Sequence, residues 1–104
     1  MLTMTTSPDH IAARHILECP LLADRTAPYI REDEIDWPGM FNDIVPFMCH
    51  SERLLIDVAH DLFGGFAVTS LREIVTITDG ENFNVICEAM LGLRRLLLGC
   101  DFEA

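Results

Sequence analysis

Residues 51–65, SERLLIDVAHDLFGG, carry the clearest periodic signal in the chain. Leu54, Leu55, Val58, Ala59 and Leu62 recur at helical spacing on one face, while Arg53, Asp57 and Asp61 lie four apart on the other. Ser51 heads the segment, Glu52 places a carboxylate in the first turn where the helix dipole favours it, and Gly64-Gly65 supplies the stop. The spacing predicts an amphipathic helix over 51–63.

The same period returns near the C-terminus. Thr78 and Glu81 stand at capping-box spacing, Asp79 is an alternative cap, and Gly99 ends a segment running over 80–98. Phe83, Ile86, Met90, Leu93 and Leu97 alternate at three- and four-residue steps, with Val85, Ala89 and Leu96 as a second stripe beside them. Glu81, Asn84, Glu88 and Arg95 leave only a narrow polar face. A helix this apolar is covered on two sides, so it is either central to a bundle or meets another copy of itself. Gly92 lacks a side chain and would let a second backbone come close. Ile86, Met90, Gly92, Leu93 and Leu97 are therefore the expected self-association residues, and a homodimer is the expected state.

Between these helices the signals are mixed. Ser70 and Glu73 have capping-box spacing, yet Ile74 to Thr78 are all β-branched and suit a strand; the preferred reading is a short helix over 71–77 after an extended Ala67-Val68. Upstream, Ser7-Pro8-Asp9 makes a helix start, Ala12, Ala13, Ile16 and Leu17 form its apolar stripe, and Pro20 stops it after Cys19. Residues 21–36 lose periodicity and read as a connecting arm. Asp36 then caps a helix over 37–45, with Met40, Phe41, Ile44 and Val45 inward and Pro46 as the break. The expected fold is all-α: one domain, a bundle of four to five helices, with 51–63 and 80–98 at its core and the other helices packed across them. Residues 1–6 read as a loose lead.

Composition bounds the function. Seventeen carboxylates face seven arginines and no lysine, a net charge of −10. The excess is concentrated between Glu32 and Asp61, where Glu32, Asp33, Glu34, Asp36, Asp43, Glu52, Asp57 and Asp61 oppose Arg53 alone. Such a surface repels nucleic acid and anionic lipid and attracts basic proteins. No apolar run approaches the ~20 residues of a membrane span, and the N-terminus lacks a basic, hydrophobic leader, so a cytoplasmic protein is expected. Cys19, Cys49, Cys87 and Cys100 show no close pairing and read as free, mostly buried thiols.

Candidate chemistry is sparse. His15 and Cys19 are four apart on one helical face, but two ligands do not make a metal site. Cys49 beside His50 precedes a helix start, where a thiol is activated, yet sequence neighbours rarely face each other productively. No glycine loop opens a helix to cradle phosphate. The order of elements over 51–92 resembles that of a helix-turn-helix or winged module. Its would-be recognition helix, however, opens with Glu81, Asn82, Asn84 and Glu88, whose two carboxylates oppose phosphate contact. No cofactor, metal or enzymatic activity is expected. The leading expectation is a non-enzymatic interaction or adaptor module that binds a basic protein through Glu32, Asp33, Glu34, Asp36, Asp43, Asp57 and Asp61. The alternative is a nucleic-acid mimic inhibiting a DNA- or RNA-binding enzyme, in the manner of phage-encoded inhibitors of restriction and CRISPR enzymes.

Overall fold

The computed structural model describes residues 7–65 and 69–99. The lead 1–6, the extended Ala67-Val68 and Cys100 lie outside the described residues. Within them are six α-helices: α1 (Pro8–Leu17), α2 (Ala23–Thr26), α3 (Trp37–Asp43), α4 (His50–Gly64), α5 (Leu71–Ile77) and α6 (Gly80–Leu98). Short 3-10 turns follow α2 and α3 at Ala27–Tyr29 and Val45–Phe47. The chain is all-α, as the periodicity predicts.

The boundaries follow local chemistry. The Ser7 hydroxyl accepts from the His10 amide, Asp36 Oδ1 from Gly39, the Ser70 hydroxyl from Glu73 and Asp79 Oδ1 from Asn82, each satisfying an orphan first-turn donor. Gly65 and Gly99 end α4 and α6 with φ of 70° and 72°, a left-handed conformation that a side chain resists. The cap of α4 corrects the sequence reading. Its helix begins at His50, and Cys49, not Ser51, is the N-cap, because the Glu52 carboxylate reaches back to the Cys49 amide at 3.0 Å. Pro46 likewise does not end a helix outright; α3 stops at Asp43, and Pro46 sits in the 3-10 turn, where its missing N–H costs nothing.

The arm over 21–36 is more ordered than its lost periodicity implies. It contains α2, a 3-10 turn and a single antiparallel bridge, Ile30 to Ile35. Thr26 is fully buried, and its hydroxyl donates to the Leu17 carbonyl at 2.7 Å. That bond satisfies an open carbonyl at the end of α1 and ties the returning chain to it.

The centre of the core is displaced from the expected place. α1 packs along both α4 and α6, while α4 and α6 meet each other much less. Ala13, Ile16 and Leu17 are fully buried, as are Leu55, Ile56 and Ala59 of α4, Leu22, and Met40 of α3. In α6 only Ile86 and Ala89 are buried; Phe83, Met90 and Leu97 of its expected inward stripe are exposed, and Leu93 is half-buried. The reason is coverage: the 10 residues of α1 cannot enclose the 19 of α6. Ile86→Ala is expected to cost about 2 to 5 kcal/mol, whereas Leu97→Ala should stay within about 0.5 kcal/mol, compared by urea denaturation.

Candidate protein-interaction surfaces

The acidic cluster begins in a turn closed by backbone bonds. The Arg31 amide donates to the Glu34 carbonyl at 2.8 Å and the Asp36 amide to the Tyr29 carbonyl at 2.8 Å, on either side of the Ile30–Ile35 bridge. Ile35 turns inward, 8% exposed, and Trp37 follows it into the core. The intervening side chains Glu32, Asp33 and Glu34 are left outside, with Asp36 beside them at the head of α3. Asp43, also exposed, accepts from the Tyr29 hydroxyl at 3.1 Å, linking the far end of α3 to the arm. Arg31 opposes this charge locally through a 3.5 Å pair with Glu34, both side chains well exposed. Arg31, Glu34, Ile35, Asp36 and Pro38 line a cleft of about 240 Å³.

The remaining carboxylates of the 32–61 stretch do other work, so the sequence neighbourhood is not one binding face. Glu52 is held by Arg25 at 2.6 Å and by the Cys49 amide, and these partners lower its carboxyl to about 2. Asp61, expected at the partner surface, is half-buried and accepts from both the amide (3.0 Å) and the hydroxyl (2.6 Å) of Thr69, pinning the approach to α5. Asp57 is half-buried as well, and burial pushes its carboxyl up; it lines a cleft with His50, Arg53, Leu54 and Glu73 between α4 and α5. Of the expected partner-binding residues, Glu32, Asp33, Glu34, Asp36 and Asp43 are exposed together in one region of chain, and Asp57 and Asp61 are not among them.

The second surface lies on the C-terminal half of α6. Met90, Leu93, Arg94, Leu97 and Leu98, with Leu62 of α4, line an apolar groove of about 320 Å³. Leu91 and Leu96 are exposed on its flanks. Three of the expected self-association residues, Met90, Leu93 and Leu97, thus share the groove, and the place where Gly92 would carry a side chain is open space. Ile86 does not belong to it. At 1% exposure it faces the core with Ala89, because α1 covers that side of α6.

The weaker chemical candidates separate. His15 pairs with Glu88 at 3.0 Å, while Cys19 is buried. Among the described residues no group of three or more His, Cys, Asp or Glu is placed to hold a metal ion, and no helix is long and apolar enough to cross a membrane. Cys49 is exposed, against expectation, since the thiol caps α4 at its entry; Cys87 is intermediate. Sequence reasoning missed an aromatic cluster in which the His60 ring centre lies 4.6 Å from that of Trp37 and 5.1 Å from that of Phe41, with Phe63 5.4 Å from Trp37. Burial holds the His60 imidazole below its ordinary value, against the raising effect of Asp61 and Asp57. The signal was present in Trp37-Pro38 and in the spacing of His60 and Phe63, but nothing local said that these faces meet.

Comparison with protein-family models, with curated proteins and with solved structures yields no match. Functional reading therefore rests on the two surfaces.

Glu52→Gln is expected to cost about 1 to 2 kcal/mol at neutral pH, since it weakens a charge-assisted contact and a helix cap. The penalty has a defined pH window. Glu52 is depressed in the fold, so its contribution is complete above the ordinary 4.5 and is lost as pH falls towards about 2. Wild type and variant should converge over that range in urea denaturation.

Proposed function

We propose that this chain is a non-enzymatic protein-interaction module that binds a basic segment of a partner at the acidic turn and self-associates through the α6 groove. The observation that carries the reading is the cleft beside the turn. The exposed Pro38 offers an apolar wall, and the acidic residues Glu34 and Asp36 line the same cleft. A long cationic side chain suits both, its aliphatic stem against the wall and its charge on the carboxylates. Arg31 already stands in this cleft, and its exposed pair with Glu34 is of the kind worth little, so an incoming cation displaces it at small cost.

Self-association is supported by Met90, Leu91, Leu96, Leu97 and Leu98, all large apolar side chains exposed on the C-terminal half of α6. A second reading, inhibition by nucleic-acid mimicry, is favoured by one feature. Glu32, Asp33 and Glu34 are displayed on a hydrogen-bonded turn, which gives their charge the fixed placement that imitation of phosphates requires.

The combined change Glu32→Gln, Glu34→Gln and Asp36→Asn preserves the α3 cap acceptor and should leave the fold intact. It is expected to weaken binding of an arginine-rich peptide by about tenfold at low salt, with the difference shrinking at high salt. Fluorescence anisotropy reads the effect; binding indifferent to both mutation and salt removes the turn as the site. Release of a nucleic-acid enzyme by salt, with no affinity for the basic peptide, selects mimicry instead.

For the groove, Leu97→Glu is expected to shift sedimentation to a monomer. Gly92→Ala has room for its methyl group and should raise the stability of the isolated chain by up to about 1 kcal/mol through helix propensity. If it also weakens the dimer, a second backbone approaches at Gly92; a clean wild-type monomer at high concentration rules self-association out.

A further inference from the structure

Met90 and Leu97, which line the α6 groove, are seven residues apart, and Phe83 stands seven residues before Met90. Seven residues make almost two turns, so the three side chains share one face of the helix. All three are exposed, Phe83 at 36%, Met90 at 47% and Leu97 at 62%. One face of α6 therefore carries two unlike features: an aromatic ring near its start and an apolar groove of about 320 Å³ near its end. Aliphatic and thioether side chains of the kind that line this groove pack well around an aromatic ring.

Charge divides along the helix in the same sense. Asp79 caps α6 and Glu81 lies in its first turn, whereas Arg94, which lines the groove, and Arg95 lie near its end. Two copies laid parallel would set Arg94 against the partner's Arg94 and groove against groove. Antiparallel copies bring the basic end of each helix to the acidic end of the other, and their dipoles oppose favourably. Phe83 and Leu93 in the groove are ten residues apart, about 15 Å along the axis. A two-fold axis crossing α6 at the level of Glu88 exchanges these two positions, which makes the face complementary to itself.

We infer that two copies pair their α6 helices antiparallel about such an axis, so that the groove of each receives the partner's Phe83. The inference rests on the self-association proposed above and names the side chain that enters the groove. The ring displaces water from Met90, Leu93 and Leu97, and it arrives at the level of Arg94, whose guanidinium is placed to stack on it. Each dimer contains this contact twice, so a change at Phe83 acts at both ends. Gly92, two residues past Met90 and about 200° around the helix, lies off this face, and Gly92→Ala should leave the pairing intact.

The test takes the whole chain. Phe83→Ala should weaken the dimer by about tenfold or more in sedimentation equilibrium, while Leu71→Ala, at a site on α5 that is 77% exposed, should leave it unchanged. Direction is read with a short bis-maleimide cross-linker. Gly80→Cys and Leu97→Cys, made in separate chains, should link to one another when the two variants are mixed. Leu97→Cys alone should not link to its own copy, because the two positions are then about 25 Å apart along the pair. Peptide mapping by mass spectrometry distinguishes these links from any made through Cys49 or Cys87. Should Phe83→Ala fail to fold, the cross-links still decide. A Phe83→Ala dimer as tight as wild type, or Leu97→Cys linked to its own copy, overturns the pairing and leaves self-association standing. A wild type that stays monomeric at high concentration overturns both.

Discussion

Everything in this domain is hung on one short helix. α1 touches both long helices, and its Ala13, Ile16 and Leu17 are fully buried in the shared core. A hub of 10 residues has limited length to share. It encloses the side of α6 that bears Ile86 and Ala89 and leaves the apolar remainder of that helix open. The groove on α6 is thus a consequence of mismatch between helix lengths, and self-association would complete what the hub cannot cover.

The arm between α1 and α3 depends on the same hub. Thr26 fastens it to the last carbonyl-bearing turn of α1, and Arg25 carries it to Glu52 at the head of α4. Its far end is tied in turn to α3, where the Tyr29 hydroxyl donates to Asp43.

Much of the fold was legible in the sequence because local signals agreed with one another. Asp79 and Gly99 fix α6, Ser70 fixes α5 and Ser7-Pro8 fixes α1, each through a cap whose geometry is set within a few residues. Ser51 misled because hydroxyl caps are the usual choice, whereas here the carboxylate of Glu52, three residues past Cys49, chose the start. The apolar stripe of α6 was legible, but not which part would be covered, since that depends on the length of a helix some seventy residues away. The candidate site was half legible. A charge run shows where carboxylates are dense, and cannot show that Asp61 is occupied by Thr69 while Glu34 faces a cleft.

The tight packing of Trp37 against His60 and Phe63 has an optical consequence. It is the chain's one tryptophan, 8% exposed, with its indole centre 4.6 Å from an imidazole. Indole emission shifts to the red on contact with water and is quenched by a protonated imidazole alongside it. The junction of α3 with α4 therefore carries its own fluorophore and its own quencher. Because Asp36 and Pro38, the chain neighbours of Trp37, line the cleft of the acidic turn, the indole reports from the residue between them.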